Sequence, residues 1–220
     1  MAAESLRRLV IFDLDGTLID SRADLATAVN IMRVHFGLPR LPQEQITGFV
    51  GDGLRKLVER ATDGTSVDSA EAIPVVQVAY RRHLLDTTAV YPGVPGALAQ
   101  IRGLGYRTAV VTNKPQEFTL RILDHLGLLD QMDTVIGGDV CVGLKPDPAP
   151  LLLALANTEC VAAGSWMVGD NHTDLVAGQR AGLLCCFCEY GFGERLGLAA
   201  SLVVDHIEGF VEELRRSVCR

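Results

Sequence analysis

One stretch constrains this chain more than any other: Leu9 to Leu18, LVIFDLDGTL. An apolar run, Leu9–Phe12, ends abruptly in Asp13 and Asp15 and is followed by Gly16 and Thr17. A short apolar run closed by a glycine turn reads as a buried strand. Side chains alternate along a strand, so the two aspartates leave on one side if the strand continues to Asp15. Carboxylates at the mouth of an apolar strand are costly unless a cation or a reaction uses them. An acidic turn that merely ends a strand would show the same letters, so residues farther along must decide.

Downstream of Asp20 the periodicity becomes helical. Ser21 is placed to cap a helix, with Asp24 as a weak capping-box analogue, and Leu25, Ala28, Val29, Met32 and Phe36 follow at helical spacing. Residues 37–42 read as a turn. A second helix carries Leu54, Leu57, Val58 and Ala61, and a third runs from about Ala70 to Leu85, with Pro74 suggesting a start near that proline. Residues 21–88 therefore read as all-helical. Beyond the turn at Tyr91–Gly96 the chain alternates. Strands are expected at 107–112, 134–137, 166–169, 183–188 and 201–204. Helices are expected at 115–126, 148–156, 173–181 and 207–218. Strands alternating with helices imply βαβ units and a parallel sheet. The expected fold is α/β: a Rossmann-like parallel sheet flanked by helices, built from residues 1–18 and 89–220, with residues 19–88 inserted as a helical unit.

Composition narrows the function classes. With 220 residues the chain is long enough for one large domain or a core with an insert. A net charge of -7, with no basic patch interleaved with aromatics, disfavours nucleic acid as a partner. No segment approaches the length of a membrane span and the first residues lack a signal-peptide apolar stretch, so a cytoplasmic location is expected. Six cysteines occur, three of them in LLCCFC. Neighbours on a strand face opposite ways, so Cys185 and Cys186 are poorly placed to bridge, and small buried thiols in a reducing compartment account for them.

Ligands bind outside the carboxyl ends of strands in open parallel sheets. Read that way, the first strand ends in Asp13, Asp15 and Thr17. The next ends in Thr112-Asn113-Lys114. A later one ends in Gly169-Asp170-Asn171, with Asp174 one turn into a helix, and Lys145-Pro146 precedes another helix. Each piece has an ordinary reading: Thr112 as a helix cap, Lys145 as a solvated lysine, Asp170 and Asp174 as a charged helix start. Their shared position at one sheet edge is what points to chemistry. Aspartates supply hard oxygen ligands for Mg²⁺. Lys145 could neutralise a phosphate, and Thr112 with nearby backbone N–H groups could bind phosphoryl oxygens. Asp13 would be a nucleophile and Asp15 an acid and base.

With DLDGT at Asp13–Thr17, TN at Thr112–Asn113, KP at Lys145–Pro146 and GDNHTD at Gly169–Asp174, the chain resembles the haloacid dehalogenase superfamily of phosphatases. Within it, FVGDGLRKLVERA, YPGV, VTNKP and KPDPAPL are most similar to phosphoglycolate phosphatases. The resemblance implies Asp13 as nucleophile, Asp15 as general acid/base, and Thr112 and Lys145 as phosphate binders. It implies Mg²⁺ as cofactor, held by Asp13, the Asp15 carbonyl and Asp170; Asp174, one turn into the following helix, is a further candidate metal ligand. It implies a four-helix cap over residues 19–88, a small phosphorylated metabolite as the partner, and a monomer or homodimer. Substrate binding falls to Gly16, Thr17, Asn113 and the cap residues Gly51, Gly53 and Arg55. One departure stands out: Asn171 occupies a position where serine is usual. A phosphosugar mutase commonly has Glu where this chain has Gly169. A dehalogenase has no need of Asp15. A phosphonate-cleaving relative needs a cap lysine, here Lys56. A non-catalytic phosphate-binding protein is the reading from another class.

Overall fold

The computed structural model describes residues 7–218. Six parallel strands form the main sheet: β1 (Arg8–Phe12), β4 (Arg107–Val111), β5 (Thr134–Ile136), β6 (Val161–Gly169), β7 (Leu184–Cys188) and β8 (Leu202–Val204). Their order is β5-β4-β1-β6-β7-β8. The apolar run Leu9–Phe12 is fully buried because β1 lies between β4 and β6 with helices on both faces. The chain winds outward from β1 to β5 and returns to β6 on the other side, so the sheet's switch point lies at the end of β1. That end carries Asp13 and Asp15.

Two short strands, β2 (Ile19–Asp20) and β3 (Ala89–Val90), pair antiparallel where the chain leaves and re-enters the sheet domain. Between them lie α1 (Arg22–His35), α2 (Gln43–Thr47), α3 (Leu54–Thr62) and α4 (Ser69–His83), packed on one another. Asp24 ties this exit to the return. Its carboxylate accepts the backbone N–H and the hydroxyl of both Thr87 and Thr88, at 2.6–3.1 Å. Burial works against that charge, and the four donors outweigh it, so the Asp24 pKa lies below the ordinary value. The remaining helices, α5 (Val94–Gly103), α6 (Gln116–His125), α7 (Ala149–Thr158), α8 (His172–Arg180) and α9 (Ile207–Val218), cover the sheet.

The expected α/β architecture is borne out, with local corrections. α4 does not start near Pro74. It begins at Ser69, where the Asp68 side chain accepts the Ala70 N–H at 2.8 Å, and Pro74 sits inside it. A proline there forfeits a single backbone bond, and packing of Ala72, Val76 and Tyr80 holds the helix through it. β6 begins at Val161 and not at Trp166. A bulge hides its first half from the pattern: Gly164 adopts φ 76°, the register with β1 shifts, and the Ser165 hydroxyl takes the Leu9 N–H at 2.8 Å. α2, with only Ile46 buried, has too little periodicity to be read from the letters.

Cys186 packs on one face of the sheet with the large core, and Cys185 on the other. The five described cysteines are all free thiols; Cys219 lies outside the described residues. No described helix is long and apolar enough to cross a membrane.

Candidate active site

The carboxyl ends of β1, β4 and β6 meet in one place. Asp13 follows β1 directly, its N–H bound to Val168 of β6 at 2.9 Å. Asp170 follows β6, and Asp174 stands in the first turn of α8. One carboxylate oxygen from each of Asp13, Asp170 and Asp174 lies within 4.8 Å of the other two. Lys145 enters from the loop before α7. Its Nζ stands 2.9 Å from Asp13 Oδ1 and 2.7 Å from Asp174 Oδ1, and donates to the Val111 carbonyl at 2.8 Å. Both Oδ1 atoms are buried, and the shared ammonium is their one charged partner among the described residues.

Three carboxylates share one nearby ammonium. Burial, then repulsion from Asp13 and Asp174, pushes the Asp170 pKa up to about 8, against the N–H groups of Phe192 and Gly193 that favour its charge. Burial also raises Asp174, although Lys145 pulls the other way. Desolvation alone would lower Lys145, but Asp13 and Asp174 outweigh it and the ammonium is held charged. Such a cluster favours a further cation. Three buried carboxylates sharing one ammonium, hard oxygen donors and a short mutual distance suit a magnesium-sized ion.

Around this centre several of the residues expected to bind substrate also brace the site. Thr17 is fully buried and donates to Asp170 Oδ1 at 3.1 Å. Gly16 adopts φ 86°, and a Cβ there would collide with the Asp170 carboxylate, so its glycine lets that carboxylate approach. The Asn113 amide is spent on backbone. It donates to the Gly51 carbonyl at 2.8 Å and the Lys145 carbonyl at 2.9 Å, and accepts the Lys145 N–H at 2.8 Å. Asn113 thereby fixes the Lys145 segment and ties it to the loop before α3. Asn171 caps α8, accepting the Thr173 N–H at 3.2 Å, while Asp174 Oδ2 takes the Asn171 N–H at 3.0 Å.

A cavity of about 60 Å³ opens between the helical insert and this centre, room for roughly four waters or a small metabolite. Asp13, Asp15, Thr112 and Asp170 border it below, and Gly51 and Gly53 border it from the insert. Arg55, exposed on α3, stands outside this lining.

Two lining residues escaped the sequence reading. Lys114 Nζ contacts both oxygens of Asp15, at 2.6 and 2.7 Å, and Ser21 Oγ donates to Asp15 at 2.5 Å. Burial would lower the Lys114 pKa, but Asp15 reverses this and holds it well above the ordinary lysine value. Tyr80, from α4, presents its ring to Lys114 with the ammonium 4.9 Å from the centroid. Its hydroxyl is buried beside that ammonium and its own proton has no acceptor, a state that costs about 1–3 kcal/mol. Lys114 directly follows the TN pair, which was the one available hint. Nothing in the spacing of α4 marks Tyr80 apart from a core aromatic.

Comparison with known proteins agrees with this geometry. Residues 10–188 match the family described as haloacid dehalogenase-like hydrolase. A phosphoglycolate phosphatase of Nitrosospira multiformis is 40% identical, with 85% of each chain covered. One from Chromobacterium violaceum is 38% identical over 91% of this chain and 93% of its own. The crystal structure of a predicted phosphoglycolate phosphatase from Haemophilus somnus superposes with a TM-score of 0.89 at 26% identity, over 96% of this chain and 99% of that one. On the motifs, the strand-end geometry and these relatives together, the chain belongs to the haloacid dehalogenase-like hydrolase family.

Proposed function

We propose that this protein is a Mg²⁺-dependent phosphatase of small phosphomonoesters, with 2-phosphoglycolate as its substrate and residues 19–88 as a cap over a core of residues 1–18 and 89–220. The observation that carries the reading is the convergence of Asp13, Asp170, Asp174 and Lys145 beside a small cavity at the sheet's switch point. The relatives' names support the substrate.

An anionic nucleophile approaching a phosphate dianion is repelled by about 4 kcal/mol per unit-charge pair at ~4 Å and an effective dielectric of 20. Lys145 offsets part of that repulsion. Asp13 and Asp170, joined by the Asp15 carbonyl and with Asp174 behind them, would hold Mg²⁺, which when bound neutralises carboxylate and phosphate charge and polarises the phosphoryl group. Asp13 attacks phosphorus while the bond to the leaving alcohol breaks and Asp15 delivers a proton to the departing oxygen. Asp15 then takes a proton from water, whose oxygen attacks the aspartyl-phosphate. The Asp13–phosphorus bond breaks and inorganic phosphate is released. Thr112, which lines the cavity, binds a phosphoryl oxygen throughout.

The test is release of phosphate from 2-phosphoglycolate with and without Mg²⁺, in the natural protein and in Asp13→Asn. Turnover is expected to need the ion and to fall by about 10³-fold or more in the variant, with the far-ultraviolet dichroism unchanged. Full activity of Asp13→Asn would end the reading.

A further inference from the structure

The proposed substrate carries two anions, a phosphate and a carboxylate, and the cluster around Asp13 accounts for the first alone. Most of the cavity wall opposite that cluster is hydrocarbon, from Leu25, Leu54, Leu57, Val76 and Phe118. A carboxylate set against such a wall would lose its hydration and gain nothing. Among the described lining residues, Lys114 carries the one positive charge. An ammonium has three N–H donors, and Asp15 takes two of them. Beside it stands the Tyr80 hydroxyl, whose oxygen faces the same ammonium and whose own proton has no acceptor. Buried hydroxyls are almost always hydrogen-bonded. One left orphaned in a cavity wall next to a lysine points to a ligand that supplies the acceptor.

We propose that Lys114 and the Tyr80 hydroxyl together form the subsite for the substrate's carboxylate, so that the chain selects phosphomonoesters bearing an acid group close to the ester. The inference rests on the phosphatase reading above and deepens it. Lys114 belongs to the sheet domain and Tyr80 to α4 of the insert, so the subsite is complete only when the insert covers the sheet edge. It also lies against Asp15, the group assigned to protonate the leaving oxygen. In phosphoglycolate one methylene separates that oxygen from the carboxylate, so a substrate reaching Asp15 places its acid group beside Lys114. Arg55 and Lys56, the cations at the start of α3, stand outside the lining of this cavity.

The experiment compares kcat/KM for 2-phosphoglycolate with that for ethyl phosphate, which is of similar size and has no charge at its far end. The natural protein is expected to favour phosphoglycolate by a wide margin. That ratio should fall about 10-fold in Tyr80→Phe and about 100-fold in Lys114→Met, the losses expected for a neutral and a charge-assisted hydrogen bond. Tyr80→Phe keeps the ring packed edge-on against Phe118 and removes an orphaned hydroxyl, so its melting temperature should equal or exceed that of the natural protein. A stability gain paired with a loss of discrimination is an outcome that simple damage to the fold does not produce. Should Lys114→Met fail to fold, Tyr80→Phe decides alone. An unchanged ratio in Tyr80→Phe, or a natural protein that favours neither ester, overturns the subsite and leaves the phosphatase standing. A natural protein inert towards both esters overturns the phosphatase reading, and the subsite with it.

Discussion

Gly16 and Asp170 are packed so tightly that a Cβ on Gly16 would lie 2.5 Å from Asp170 Cγ, with Gly16 already at φ 86°. Gly16→Ala must therefore strain its own backbone and displace a carboxylate of the site. A destabilisation of roughly 2–4 kcal/mol and a loss of at least about 100-fold in turnover are expected. Gly37→Ala is the control. Its φ is 71° and nothing lies within 4 Å of the added methyl, so it should cost about 1 kcal/mol and spare turnover. Urea melts and steady-state kinetics on the pair separate backbone strain from the collision. Equal behaviour of the two variants would remove the role assigned to Gly16.

Lys145 is the cation standing among three buried carboxylates. Lys145→Met leaves them uncompensated and should destabilise the metal-free protein by about 3–5 kcal/mol. Adding Asp174→Asn removes one of the stranded charges. The double variant should therefore be more stable than Lys145→Met alone, a reversal of sign that additive effects do not give. Denaturant midpoints of the natural protein, both single variants and the double variant, taken in chelator, measure it.

How much of this was legible depends on what kind of signal each residue leaves. Asp13, Thr112, Lys145 and Asp170 each follow or precede an element in a fixed way, and a parallel sheet gathers strand ends along one edge. Local letters therefore reported a global arrangement. Thr17 and Asn113 stood in motifs that reach the site, but their side-chain bonds to Asp170 and to the Gly51 carbonyl were not legible, because a motif shows nearness and not which partner a side chain takes. Tyr80 was silent for a different reason. A helix that buries Ala72, Val76 and Tyr80 writes the same period whether or not one of them also lines a cavity. The exposure of Arg55 was not legible either: Gly51, Gly53 and Leu54 border the cavity, whereas one step farther into α3 the side chain is exposed.

The cluster of Asp13, Asp170 and Asp174 should make stability depend on a divalent ion. At 100 times its dissociation constant a ligand of the folded state adds about 2.7 kcal/mol, which for a chain of this size is roughly 5–10 °C in melting temperature. Calorimetry of the natural protein in Mg²⁺ against chelator should show a rise of that order. Asp170→Asn should reduce it to under about 2 °C. A rise of the same size in the variant would mean that the ion binds elsewhere.

Asp24 offers the clearest dependence on pH. Its carboxylate receives the N–H and hydroxyl donors of Thr87 and Thr88, where the chain returns from the helical insert, and its pKa is lowered in the folded state. A carboxylate lowered on folding contributes stability that is complete above its unfolded value, near 3.9. The contribution is lost as pH falls through the lower folded value, because the folded state then takes up a proton that costs it these bonds. Asp24→Asn offers one acceptor oxygen and turns an NH₂ towards donors. At neutral pH it should cost about 3 kcal/mol, or roughly 6–12 °C in melting temperature. All other acidic groups titrate in both proteins, so the difference between their melting curves isolates Asp24. That difference should hold steady from neutrality to about pH 5 and narrow steadily below the ordinary carboxylate range. A gap that stays constant into strong acid would mean that the shape of residue 24, and not its charge, joins the two chain crossings.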